Sequence, residues 1–410
     1  MDTQWFEYIV VGCGGIGSGT LFWLAKKVGP HVLGLEQFTL GHDHGGSQDH
    51  SRAVRYNYIG KEYVSLCKGA FECWADLEKE SGLPLVYKTG DVSFAEKNTE
   101  QERYLARMKE TMDSYGIRCD CLDGERLNDR FPQFTRNPNC KALYFPDNGV
   151  IDADLANAAH IQLARKYGAS IREGVRVTAI RKTGHVILVE TSHGVFGCRK
   201  VIVTAGAWVN HVVKSVGLEL PLLTTKEQVT YFGTPNIKDF TKGNFPCWSY
   251  YSPKGTTFYG LPIHGNSGSK AGIDAVGDLV NPDTRNYTPN RKNLDKCIRM
   301  LQKHIPKSLG PIIQTKTCLY TMTPDRHFVI DTCHRTGFPE VLVCCGAGHA
   351  FKFASVFGKI LTDLVTDGQT TFDLKPFTLD RPALTDPTFE PQVNISKFEK
   401  RTQTNEISKL

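Results

Sequence analysis

An apolar run that ends in Gly-x-Gly-x-x-Gly limits what this chain can fold into more than any other feature. It reads Tyr8-Ile9-Val10-Val11-Gly12-Cys13-Gly14-Gly15-Ile16-Gly17, and an apolar, small-residue stretch with helical character runs on from Ser18 to Lys27. The next apolar run, Val32-Leu33-Gly34-Leu35, closes on Glu36. Strand, glycines, helix, strand and acid in that order predict a βαβ unit that seats the ADP half of a dinucleotide. Gly12 allows the tight turn. Gly14, with Gly15 beside it, lets the backbone approach a pyrophosphate at the N-terminus of the helix, and Gly17 lets the helix pack closely on the strand. Glu36 stands about 20 residues on, where a carboxylate accepts hydrogen bonds from a ribose diol. The fingerprint does not separate NAD from FAD, and a glycine-rich turn in an ordinary α/β domain is the plainer alternative.

A chain of 410 residues suggests two or three domains, or two interleaved ones. With 40% hydrophobic and 22% charged residues it can bury a sizeable core. No apolar run approaches the roughly 18 residues of a membrane span. The start, Met1-Asp2-Thr3-Gln4, lacks the basic and then apolar pattern of a secretory signal. The net charge of +6 is spread out with no basic block among aromatics, which argues against nucleic acid. The 13 cysteines are scattered, and neither Cys119-x-Cys121 nor Cys344-Cys345 has zinc-site spacing. Reduced thiols and no metal site are expected. The final Ser408-Lys409-Leu410 matches a peroxisomal address read by an import receptor, so a peroxisomal location is expected. That compartment confines oxidases that release hydrogen peroxide.

Hydrophobic periodicity predicts helices over residues 61–80, 99–115, 153–167 and 290–303. Strands are expected around Val86, Val92, 175–180, 186–190 and 201–204. The stretch holding Pro132, Pro138 and Pro146 reads as loop-rich. Residues 221–279 read as an antiparallel sheet, and 328–364 as strand, strand and helix returning to the first unit.

Beyond these patterns, the segment Cys318-Leu319-Tyr320-Thr321-Met322-Thr323-Pro324-Asp325-Arg326-His327-Phe328-Val329-Ile330-Asp331 resembles a signature of the monomeric sarcosine oxidase, N-methyltryptophan oxidase and peroxisomal sarcosine/pipecolate oxidase family. The resemblance runs from Tyr8 to about Leu384. It implies an α/β Rossmann-like FAD-binding domain with a discontinuous substrate domain on an antiparallel sheet, as in glucose oxidase and D-amino-acid oxidase. FAD-binding pieces are expected at 1–85, 150–215 and 320–390, substrate-domain pieces at 86–149 and 216–319, and a tail at 391–410. It also implies FAD bound covalently through the Cys318 sulfur to the 8α carbon, with Tyr320 lining the substrate pocket.

Further motifs carry the same resemblance. Gly45-Gly46-Ser47 and then Ser51-Arg52-Ala53-Val54-Arg55 match a glycine-serine loop followed by Arg-x-x-Arg. The family places the first arginine near the flavin and the second on the substrate carboxylate, which a planar guanidinium grips bidentately. Arg52 and Arg55 take those parts. The loop departs from the family at Gly46, Gln48 and Asp49, where Ser, His and Gly are commoner. Gly348-His349-Ala350-Phe351-Lys352 resembles a Gly-His-Gly-Phe-Lys segment beside the flavin, which makes Lys352 the second cation on the carboxylate and His349 a pocket residue. Tyr259-Gly260-Leu261-Pro262 followed by Lys270 matches a strand and the lysine that activates oxygen, where a fixed cation stabilises developing negative charge. Asp274 stands where sarcosine-type members carry a pocket histidine. Ser51, Val177, Gly206 and Gly348 complete the cofactor contacts that the resemblance implies.

The activity implied is oxidation of the C–N bond of a secondary amino acid, N-methyl or cyclic, such as sarcosine or L-pipecolate, by a monomer that reduces O2 to H2O2. Oxidation of glycated (fructosyl) amino acids, an NAD-dependent dehydrogenase and a flavin-binding protein without turnover are the rival readings.

Overall fold

In the computed structural model of the chain, residues 3–392 are described, so most of the expected tail, with Ser408-Lys409-Leu410, lies outside them. The apolar run Tyr8–Val11 forms the middle of a six-stranded sheet. Its strands lie in the order Ser170–Arg172, Val32–Leu35, Tyr8–Val11, Lys200–Val203, Phe338–Cys345, Val329–Cys333. All neighbours pair in parallel except the last two strands, which form a hairpin. Both faces of the sheet are covered, so its central strands read as continuous apolar runs with no polar alternation. One face carries the helices Gly15–Val28, Ala153–Lys166 and Ala354–Asp367, which share a core with Phe22, Trp74, Phe328 and Phe357. The other face is covered by the sheet Val177–Thr183, Val186–Thr191, Gly194–Cys198 and Gln4–Trp5, which buries Ile180, Ile187 and Val189 against Ile9, Val11 and Val203.

A nine-stranded sheet builds the second half of the molecule. Its core joins Phe94, Phe134, Trp248 and Phe258. Leu223–Phe232 pairs with Ser269–Ile273 and, on its other side, with the long strand Ile312–Met322. Two expectations need correction. Residues 221–279 are not wholly antiparallel, because Cys247–Tyr251 pairs in parallel with Asp91–Glu96. The loop-rich, proline-dotted stretch also holds an unforeseen strand, Cys140–Phe145, and lies between the helix Gly124–Arg130 and the strand Gly149–Asp152. Pro138 and Pro146 fall just outside Cys140–Phe145, where a missing N–H breaks no ladder bond.

A small fourth sheet, Ser51–Val54, Gly149–Asp152 and Val86–Tyr87, is separate from the three larger ones and carries Arg52. The helix Lys61–Ser81 buries Tyr63, Leu66, Ala70, Trp74 and Leu77 on one face. No helix among the described residues is long and apolar enough to cross a membrane.

Candidate active site

One continuous cavity of about 840 Å³ begins at the carboxyl ends of the parallel strands and ends under the nine-stranded sheet. Gly12 follows Val11, Glu36 follows Leu35, Thr204 follows Val203 and Gly346 follows Cys345, and all four line it. An open parallel sheet offers its ligand site at this edge.

Two of the fingerprint glycines, Gly12 and Gly17, leave no room for a side chain. Gly12 has φ +91°, and a Cβ there would lie 2.8 Å from the Thr204 carbonyl oxygen. A Cβ on Gly17 would lie 1.8 Å from the Gly12 carbonyl oxygen. Gly17 therefore sets the helix-to-strand distance and does not itself line the cavity, whereas Gly14 and Gly15 do. The Gly15 N–H donates to Ser47 Oγ at 2.8 Å, which ties the glycine loop to the 45–49 loop. Glu36 is buried and accepts from the N–H groups of Cys13 (2.9 Å) and Phe38 (3.0 Å). Burial raises its carboxyl, but hydrogen bonds from His42, Cys13 and Phe38 outweigh that and hold it below the ordinary range. Val177 and Gly206 line the same end.

In the middle of the cavity stands a buried charge cluster. Lys270 Nζ donates to Asp49 Oδ2 (2.5 Å) and to the Ser51 carbonyl (2.7 Å). Arg52 Nη1 donates to Asp49 Oδ2 (2.6 Å), and its other amino group to the Gly46 carbonyl (3.1 Å). The Tyr231 hydroxyl donates to Asp49 Oδ1 at 2.5 Å. Burial, opposed by Asp49 and reinforced by Arg52, brings the Lys270 ammonium down to about 8. Cys318 faces this cluster from the strand Ile312–Met322, half-buried and unpaired with any other cysteine. Burial pushes its thiol up, and Arg52 pulls it back. Tyr320, two residues on, shares its face of the strand and also lines the cavity. Ser51 does not line it: its carbonyl serves Lys270, and its Oγ is buried without a hydrogen-bond partner.

At the far end the half-buried Arg55 and the buried Lys352 approach each other across Tyr58, with no ion-paired acid among the described residues. Arg55 Nη1 donates to Ser249 Oγ (3.1 Å), and Arg55 Nε is buried with no hydrogen-bond partner. Lys352 Nζ donates to the Tyr58 hydroxyl (3.0 Å) and the His349 carbonyl (2.7 Å). Burial first, and then Arg55, push the Lys352 ammonium down to about 7. Trp74 Nε1 donates to the Lys352 carbonyl (2.8 Å), so the helix Lys61–Ser81 fixes this turn. His349 joins Tyr58 (3.0 Å) and the Arg326 carbonyl (2.9 Å), and burial keeps it neutral. Gly348 packs against Tyr320, where a Cβ would lie 2.6 Å from the ring.

Asp274 lines the cavity, and Arg326 Nη2 lies 3.3 Å from its Oδ2. Arg326 has φ +61° and Ala275 φ +54°, so Arg326 and the residue after Asp274 both sit at turns that side chains rarely adopt. The bidentate Arg381–Asp325 pair (2.7 and 3.2 Å) anchors the turn that carries Arg326. The sequence patterns miss Arg326, Tyr58 and Asp91 as cavity residues. Arg326 lies inside the Cys318–Asp331 motif at an unassigned position, and Tyr58 lies three residues beyond Arg55.

A family described as FAD dependent oxidoreductase matches residues 7–364. The monomeric sarcosine oxidase of Bacillus sp. (strain B-0618) is 31% identical over 385 residues, covering 92% of this chain and 97% of that protein. The peroxisomal sarcosine oxidase of Mus musculus is 31% identical over 388 residues, covering 93% and 97%. Among solved structures, the open form of NikD, an unusual amino acid oxidase essential for nikkomycin biosynthesis, superimposes with a TM-score of 0.81 at 25% identity, covering 92% and 98%.

Proposed function

The chain belongs to the FAD dependent oxidoreductase family, and on that premise we propose that it is an oxidase of secondary amino acids, N-methyl or cyclic. The observation that carries this reading is the pair of cavity cations Arg55 and Lys352, with the buried Arg55 Nε left without a partner among the described residues. Two cations that repel each other in a dry pocket call for an anion between them. A carboxylate fits, because a guanidinium offers it a planar fork.

The residues present fit FAD. The glycine turn admits no Cβ, Glu36 is held ionised at the ribose end, and the cavity continues past Cys318 to the cation pair. Gly12, Gly14, Gly15 and Glu36 would hold the ADP end, Arg52 and Lys270 would lie along the ring, and Cys318 would bind it covalently. Bound there, FAD supplies a two-electron acceptor, so that one amine and one O2 become one imine and one H2O2. Arg55 and Lys352 grip the carboxylate and so aim the C–H bond next to nitrogen. Tyr320, His349 and Asp274 shape the wall around the amine substituent. Lys270 keeps a positive charge where oxygen is reduced.

The names of the similar sarcosine oxidases support an N-methyl amino acid, a monomer and, with Ser408-Lys409-Leu410, a peroxisomal location reached through an import receptor. A panel of sarcosine, L-pipecolate, larger N-methyl and glycated amino acids, read by peroxide release, tests the activity. Peroxide with cyclic or N-methyl amino acids is expected. Flavin that stays oxidised with every carboxylate-bearing amine defeats the reading.

A further inference from the structure

The carboxylate of Asp49 touches more of the cavity's charge than any other acid. It is 2% exposed. Its Oδ2 receives Lys270 Nζ at 2.5 Å and Arg52 Nη1 at 2.6 Å. Its Oδ1 receives the Tyr231 hydroxyl at 2.5 Å and the His50 N–H at 2.9 Å, and Lys316 Nζ lies 4.0 Å away. The Asp49 N–H in turn donates to Asp154 Oδ1 at 3.0 Å. Each carboxylate oxygen accepts two hydrogen bonds.

We propose that Asp49 is a positioning residue for the oxygen reaction: its buried carboxylate fixes the Lys270 ammonium and the Arg52 guanidinium in one cluster and offsets their mutual repulsion. The inference rests on the proposed role of Lys270 at the flavin edge.

Three observations make this more than a structural ion pair. Lys270 is 3% exposed, so without Asp49 its charge would face Arg52 in a dry site. Besides Asp49, Lys270 Nζ donates to the Ser51 carbonyl, and a carbonyl alone compensates a buried ammonium poorly. The cluster with Asp49 keeps net positive charge, because one carboxylate serves Lys270, Arg52 and Lys316. The cations therefore remain available to a developing superoxide while the lysine cannot swing away.

Other groups facing Lys270 do not replace the acid. Tyr231 lies 5.7 Å from it by ring centroid, and burial holds the Tyr231 and Tyr259 phenols neutral. The Cys318 thiol is raised. Behind Asp49, Asp154 pairs with His50 at 3.6 Å.

The test uses the holoenzyme, reduced anaerobically with dithionite and then mixed with oxygen at about pH 6 to about pH 9. Asp49→Asn keeps the size and removes the charge, and Asp49→Glu is the conservative partner. In Asp49→Asn the apparent pKa of the reoxidation profile should fall by about 1 to 3 pH units. Its reoxidation above that point should slow by about tenfold or more and recover on acidification. Asp49→Glu should restore most of the parent profile. A second readout is independent of turnover: the flavin visible spectrum, titrated over the same range, should show its Lys270-linked transition at lower pH in Asp49→Asn. Lys270→Met separates the two claims. If Lys270→Met reoxidises at the parent rate, the role of Lys270 itself is wrong. If Lys270→Met is slow but Asp49→Asn follows the parent profile and spectrum at every pH, the role of Asp49 is overturned.

Discussion

Carboxylate binding should be linked to a proton on Lys352. Burial and then the Arg55 guanidinium bring that ammonium down to about 7, against roughly 10.4 for a free lysine. A carboxylate set between the two cations cancels the Arg55 effect and favours the charged lysine. If the charged form alone binds, about nine in ten sites are competent at about pH 6, about half at about pH 7 and about one in eleven at about pH 8. Affinity should therefore be level below about pH 6, weaken about tenfold between about pH 6 and about pH 8, and weaken about tenfold again by about pH 9. A substrate amine titrates in its own right, so the ligand for the assay is methoxyacetate, a carboxylate with no amine. Its Kd is read from the perturbation of the flavin absorbance in the holoenzyme. Lys352→Arg carries a charge that does not titrate and should flatten the profile while keeping affinity at high pH. Lys352→Met should flatten it too and weaken binding at about pH 6 by about 2 kcal/mol, roughly 30-fold. A parent Kd that stays level across the range refutes the reasoning. So does a slope that survives in Lys352→Met, which would move the proton to Lys270 or elsewhere.

Cys318→Ala should leave FAD in the supernatant after acid precipitation, whereas the parent should give a yellow pellet; a colourless parent pellet rules out the thioether. Gly17→Ala puts a methyl 1.8 Å from the Gly12 carbonyl and should cost on the order of 3 kcal/mol, seen as a lower melting temperature and lower flavin content, and an unchanged melt would contradict the glycine argument. Asp325→Asn leaves the buried Arg381 half-paired and should destabilise by about 3 to 5 kcal/mol in urea unfolding; a loss under about 1 kcal/mol would mean that the pair does not anchor the Arg326 turn. A fluorescent protein fused ahead of the chain should enter peroxisomes and stay cytosolic without Ser408-Lys409-Leu410, and import of the truncated fusion would exclude that address.

The nucleotide end was the most legible part of the sequence because its chemistry is local. Gly12, Gly14, Gly15, Gly17 and Glu36 lie within one βαβ unit, and period and spacing carry the whole argument. The helices Lys61–Ser81 and Arg291–His304 were legible for the same reason, as long amphipathic runs. The strand Cys140–Phe145 was not. It is six residues long and buried in the nine-stranded sheet, so it lacks alternation, and the prolines beside it read as loop. Arg55 and Lys352 could be named from motifs, but their meeting could not, since they lie about 300 residues apart in the chain and are brought together by Tyr58 and by the Trp74 bond to Lys352. Asp49 was visible only as a departure from a pattern, and its partners Lys270 and Tyr231 come from the other half of the molecule.

The way acids are shared among these cations argues for where the substrate anion goes. The cavity exposes Arg52, Lys270, Arg55, Lys352 and Arg326. Asp49 serves the first two, and Asp274 serves Arg326. The acids whose fields reach this pair are Asp91 at Arg55 and, more weakly than the Arg55 repulsion, Asp274 at Lys352; burial raises Asp91, which takes its hydrogen bonds from Asn57 and Ser93. If the cavity merely tolerated buried charge, each cation would be expected to have its own partner, since an uncompensated buried charge costs several kcal/mol. Around Asp49 one carboxylate is shared among three cations, whereas Arg55 and Lys352 have no ion-paired acid among the described residues. A ligand that brings one negative charge between Arg55 and Lys352 relieves the repulsion and offers Arg55 Nε an acceptor, whereas at Asp49 or Asp274 it would meet a carboxylate already in place. The same distribution would disfavour a ligand with its only anionic group at the Asp274 end, where a carboxylate would have to displace an acid already paired.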